Sequence, residues 1–112
     1  MSGLTSHVLD TVAGRPAAGV SVTLVRIDGA DGSWAEVATA ITDDDGRTDP
    51  PLLDGATLSA GGTFELRFGL GAHFGAGFLD VVPVRFTVAV GTTELHVPLL
   101  ASPWSYTTYR GS

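Results

Sequence analysis

The chain has no cysteine. That single absence removes disulfides, thiolate metal sites and cysteine nucleophiles, and a small disulfide-free chain fits the cytoplasm. Positive charge is also scarce: 6 Lys plus Arg stand against 12 Asp plus Glu, for a net charge of -6. Non-specific nucleic-acid binding needs clustered cations to neutralise phosphates, so no nucleic-acid partner is expected. Long apolar runs are missing as well. Crossing a bilayer takes ~20 consecutive apolar residues, and no basic segment followed by an apolar stretch opens the chain, so no membrane partner and no secretory signal are expected. There is no internal repeat and no linker. The 112 residues read as a single domain, 1–112.

What the chain does have is punctuation. Gly 15 and Pro 6 are spread along its length, as many short strands and turns require. The runs between them alternate. Leu4–Leu9 and Gly19–Ile27 come first, and Trp34–Thr42 follows the turn at Gly29–Gly32. Thr63–Phe68 aligns Phe64, Leu66 and Phe68 on one face. Val84–Val90 and Leu95–Leu99 are joined by Gly91-Thr92-Thr93, which reads as a hairpin turn. Ser105–Arg110 is the last run. Thr48–Ala60 carries little periodic signal, and Gly69–Phe78 is the one candidate for a short helix. Aromatic and β-branched residues at period two favour strands. The expected fold is therefore all-β, a two-sheet sandwich of about eight strands with one short helix. A mean hydropathy of +0.27 is high for a small monomer and points to a subunit interface.

Alternate side chains of a strand face opposite ways. Leu95, Val97 and Leu99 make a core face, which turns His96 outward; Leu4, Ser6 and Val8 do the same and turn His7 outward. Arg47 leaves the Asp-Gly turn at a strand end, where a guanidinium reaches over the sheet edge. The terminal run carries hydroxyls, Tyr106, Tyr109 and Arg110, and its polar end is expected to be tied into the structure. Each of these also has a plain reading: outward histidines are usually solvated, Asp43–Asp45 are a solvated turn that Arg47 would partner, and His73 is a surface group. An EF-hand is not expected, because Ile41 and Leu52 stand where acidic ligands would. Two histidines without a third local ligand make a poor zinc site.

Several segments together resemble the 5-hydroxyisourate hydrolases, the transthyretin-related enzymes of urate breakdown. They are His7-Val8-Leu9-Asp10, Gly14-Arg15-Pro16-Ala17, Thr42–Arg47, His96–Leu100, Ser102-Pro103 and Tyr109-Arg110-Gly111-Ser112. The terminal Tyr-Arg-Gly-Ser is the sharpest of these marks, because transthyretin lacks it. The resemblance implies a transthyretin/prealbumin-like sandwich that assembles as a homotetramer, with active sites at the interface between two dimers. Carried across, the family's site residues are His7, Arg47, His96, Tyr109 and Ser112.

The implied reaction opens the six-membered ring of a small-molecule substrate, 5-hydroxyisourate. Water attacks a ring carbonyl and a C–N bond breaks, so one proton must leave the water and another must reach the nitrogen. A histidine near its usual pKa of ~6.5 serves either task. Arg47, planar and always charged, anchors the substrate's oxygens or faces the developing oxyanion. In this reading His96 or His7 activates the water, Ser112 orients it and Tyr109 contacts the substrate or lines the pocket. Which histidine is base and which is acid stays open. No metal, nucleotide or flavin is expected. One rival is a transthyretin-like carrier of a small molecule, which would gain nothing from two imidazoles and a guanidinium converging in its channel. The other is a structural prealbumin-like module, against which both histidines stand.

Overall fold

The computed structural model describes residues 3–75 and 77–111. Eight strands form two four-stranded sheets. The strands are β1 (Gly3–Asp10), β2 (Arg15–Pro16), β3 (Ser21–Asp28), β4 (Ser33–Ile41), β5 (Gly62–Gly69), β6 (Val81–Val88), β7 (Glu94–Ala101) and β8 (Tyr106–Thr108). The first sheet has the order β2-β1-β7-β8 and the second β4-β3-β5-β6. The core lies between them. Leu4, Val8, Leu95, Val97 and Leu99 from the first sheet meet Val22, Leu24, Phe64, Leu66, Phe68, Val82 and Val84 from the second. Burying each of these side chains is worth about 1.5–3 kcal/mol relative to exposure. The alternation therefore fixes which face each strand turns inward. Among the described residues no helix is long and apolar enough to cross a membrane.

Three details differ from expectation. The Gly91-Thr92-Thr93 link is not a hairpin: β6 pairs with β5 in the second sheet, whereas β7 pairs with β1 in the first. The turn residues are those of a hairpin, but each strand follows the partner that buries its apolar face, and the chain crosses between layers. Among the described residues there are also two short helices rather than one. The anticipated one is α2 (Leu70–Phe74), while α1 (Gly55–Leu58) sits in the segment without periodicity. A helix of four residues is too short to show a period, and its signal is the cap: the Asp54 carboxylate accepts from the Thr57 N–H at 2.7 Å. Finally, the β6 strand begins at Val81 and includes Pro83, which an edge strand tolerates.

The pairing that matters most is β1 with β7. They run parallel, eight residues long, with Thr5 opposite His96 and His7 opposite Pro98. Ser6, buried between the layers, locks the pair by donating its hydroxyl to the Val97 carbonyl at 2.7 Å. Two strands some ninety residues apart in sequence thus become neighbours, with His7 and His96 both on the solvent side of the first sheet.

Candidate active site

His96 and His7 are diagonal neighbours across the β1–β7 ladder, and their ring centroids lie 6.5 Å apart. Arg47 comes from the loop after β4, which is stitched to β1 by main-chain and side-chain bonds. Val8 N–H donates to the Gly46 carbonyl at 2.7 Å, and Ser6 N–H donates to the Thr48 hydroxyl at 2.9 Å. Residues 7 and 47 are bridged like strand neighbours. Gly46 makes this close approach possible: its φ is +75°, and a Cβ there would meet the Val8 carbonyl oxygen as well as Pro16 Cβ at 3.0 Å.

The aspartates before Arg47 shape the loop. One oxygen of Asp43 accepts from the main-chain N–H of Asp45 (2.9 Å) and of Arg47 (3.0 Å). The Arg47 guanidinium is exposed and makes no ion pair among the described residues. Asp45 contributes its carbonyl instead, which accepts from His7 Nε2 at 2.8 Å. A carbonyl only accepts, so His7 carries its proton on Nε2, and neutral His7 has its lone pair on Nδ1.

His96 is only partly exposed. Burial, the charge of Arg47 and then that of His7 hold its pKa below the usual imidazole value, outweighing the hydrogen bonding of Thr5, which acts in the opposite sense. Its neutral form is therefore favoured near pH 7. Its Nδ1 lies 2.8 Å from the Thr5 hydroxyl. The tail reaches the same residue: Gly111 N–H donates to the His96 carbonyl at 2.7 Å. Ser112 lies outside the described residues. The cleft that results has a volume of about 640 Å³, and Arg47, His96, Arg110 and Gly111 line it along with Thr5 and Glu94. That is room for a ring-sized polar molecule.

The structure thus brings His7, Arg47 and His96 together. Tyr109 is exposed and lines a second groove of about 230 Å³, beside Val84, Phe86, Leu95 and Val97 at the open edge between the sheets; Arg110 borders both spaces. His73 is a correction. Read as a surface group, it is half-buried and donates from Nε2 to Asp10 at 2.9 Å, fastening α2 to the end of β1. Sequence reasoning missed Thr5 and Arg110. Arg110 was visible inside the Tyr-Arg-Gly-Ser motif, whereas Thr5 has no signal apart from its register opposite His96. Among the described residues no three His, Asp or Glu side chains gather to hold a metal ion.

A two-layer sandwich that carries imidazoles and a guanidinium on the solvent face of one sheet, beside its own tail, defines a prealbumin-like protein with a polar reactive cleft. The chain belongs to the HIUase/Transthyretin family, whose model matches residues 4–111. A 5-hydroxyisourate hydrolase of Deinococcus radiodurans is 49% identical, covering 98% of this chain and 96% of that one. The crystal structure of an (S)-allantoin synthase superposes with a TM-score of 0.87 at 40% identity, covering 99% of this chain and 44% of that longer one. Sea bream transthyretin in complex with thyroxine superposes at 0.85 with 30% identity, covering 96% of this chain and 93% of that one. Full-length identity to the hydrolases places the chain among the family's enzymes, as a hydrolase.

Proposed function

We propose that this enzyme hydrolyses 5-hydroxyisourate to 2-oxo-4-hydroxy-4-carboxy-5-ureidoimidazoline in urate catabolism. The observation that carries the reading is a cleft lined by Arg47 and His96, with the His7 ring 6.5 Å from that of His96, in a chain 49% identical to a hydrolase of that name. His96 is the base. Held neutral by burial and by Arg47, it takes a proton from the attacking water. As the water oxygen bonds to the ring carbonyl carbon, negative charge collects on the carbonyl oxygen. Arg47, which makes no ion pair among the described residues, holds the substrate's oxygens and offsets that charge. The tetrahedral centre then collapses, the C–N bond breaks, and the nitrogen takes up a proton. His7, oriented by Asp45 through its Nε2–H, supplies that proton from Nδ1 when its ring is protonated.

Ser112 orients the water and Tyr109 contacts the substrate in this proposal. The enzyme is a cytoplasmic homotetramer in which pairs of dimers enclose the first sheet's outer face, and Tyr109 reaches substrate in that enclosed space. The reaction needs no metal, because imidazole and guanidinium supply both the proton transfer and the charge. A carrier for an apolar ligand, on the same fold, would find this cleft too polar.

The test is to generate 5-hydroxyisourate from urate with uricase and follow its decay optically. Decay much faster than the spontaneous rate is expected. Decay at the spontaneous rate would remove the reading, and a monomer by light scattering would remove its assembly.

A further inference from the structure

Thr5 stands on the outward face of β1, directly across the parallel ladder from His96. Its hydroxyl oxygen is 2.8 Å from His96 Nδ1. The opposite edge of the ring is fenced by the tail, since a Cβ added at Gly111 would lie 2.8 Å from His96 Cδ2. The imidazole is therefore located from both sides, by a strand neighbour and by the chain's end.

A neutral imidazole carries one proton, on either nitrogen. A ring that is to take a proton from water must keep its lone pair toward the cleft. A threonine hydroxyl rotates, so alone it accommodates either tautomer. With Nδ1 held by Thr5 Oγ1, Nε2 is the ring nitrogen left to act on water. A base that works through Nε2 carries its one proton on Nδ1, where the Thr5 hydroxyl oxygen is the acceptor.

We propose that Thr5 is a positioning residue for His96: its hydroxyl oxygen accepts the Nδ1–H, which fixes the neutral ring in the tautomer whose Nε2 lone pair is available to water in the cleft. The inference rests on the hydrolase reading above, in which His96 is the base; the tautomer can be measured without it.

Two measurements separate these. Long-range proton–nitrogen correlation spectra of the histidine-labelled protein, recorded above the ordinary imidazole range, read the tautomer of neutral His96 with no substrate present. The Nδ1–H form is expected in the wild type and in Thr5→Ser, and a shift toward Nε2–H in Thr5→Val. With uricase-generated 5-hydroxyisourate, Thr5→Val should lose about ten-fold or more in kcat, part of what a general base contributes. KM should stay within about two-fold, and Thr5→Ser should recover most of the rate. An Nε2–H ring in the wild type, or full kcat in Thr5→Val, overturns the proposal. If no protein accelerates the decay, the hydrolase reading falls while the spectra still decide the role of Thr5. If Thr5→Val does not fold, the wild-type tautomer decides alone.

Discussion

The two sheets turn very different outer faces to solvent. On the second sheet Glu65 is almost fully buried between two arginines, with Arg67 Nε at 2.8 Å on one carboxylate oxygen and Arg85 Nε at 3.1 Å on the other. Arg67 also lies over the Trp34 ring, 4.3 Å from its centroid. Burial alone would raise the Glu65 pKa, but the hydrogen bonds and charges of Arg67 and Arg85 outweigh it and hold the carboxyl below its usual range. Glu65, Arg67 and Arg85 are paired with one another. The first sheet does the reverse. Two imidazoles and a guanidinium sit close together, and burial with the charges of Arg47 and His7 disfavours protonation of His96. Such an arrangement gains nothing for folding. Compensated charge on a sheet face serves structure, and like charge held together beside a cleft marks a candidate functional site. Variants should therefore separate cleanly, costing rate on one face and stability on the other.

The largest effect is expected from His96→Ala. Loss of the base should lower kcat/KM for 5-hydroxyisourate by about 10²–10⁴-fold, while the melting temperature moves by no more than about a few degrees. A variant that melts early but turns over normally would reverse the comparison. Arg47→Ala should cost about 10²-fold in kcat through loss of charge stabilisation. It should also change the pH profile. Because the folded-state pKa of His96 is depressed, wild-type rate should hold at and just below the ordinary imidazole pKa and fall only at lower pH. Removing the Arg47 charge lets His96 protonate more readily, so the falling limb should move to higher pH. A limb that stays in place would mean that Arg47 and His96 do not interact.

The face on which His7 and His96 lie was legible from alternation alone, since Leu4, Ser6 and Val8, like Leu95, Val97 and Leu99, had to point inward. The Asp-Gly turn before Arg47 was legible too. What joins them was not. Nothing local in Gly3–Asp10 specifies a parallel partner some ninety residues away, and the register that puts Thr5 opposite His96 is settled by packing of the buried faces. The roles of acidic residues were hidden for a similar reason. Asp43 reads as solvated but ties down two main-chain N–H groups, and Asp10 reads as part of a motif but holds His73. A side chain's partner in space leaves no trace in its sequence neighbours.

The second face supplies the smaller predictions. Glu65→Gln keeps the shape and removes the charge between Arg67 and Arg85. It should cost about 1–2 kcal/mol at neutral pH, modest because both arginines are partly solvated. The pH dependence has a definite sign. A carboxyl whose folded pKa is depressed contributes stability above its unfolded pKa and loses it as pH falls through the folded value. The gap between wild type and Glu65→Gln in urea unfolding should therefore close on acidification below the ordinary glutamate range. The rate of 5-hydroxyisourate decay should be unchanged.

Trp34→Ala is the mildest test and asks how that face is covered. Val25 points outward from the second sheet, opposite Glu65, and stands apart from the central core, yet it is fully buried. Its strand neighbours on the same face are Thr23, paired with Arg67, and Ile27, paired with Trp34. A guanidinium reaching from the first row to an indole in the second must pass over Val25. The stack is thus a lid on an outward-facing valine as well as a cation–π contact. Removing the indole should cost about 1 kcal/mol, and it should speed hydrogen exchange in the middle of β3 ahead of any change in β1 or β7. If exchange rises first around His96 instead, the two faces are coupled through the core, and the division of labour between them is less complete than their charges indicate.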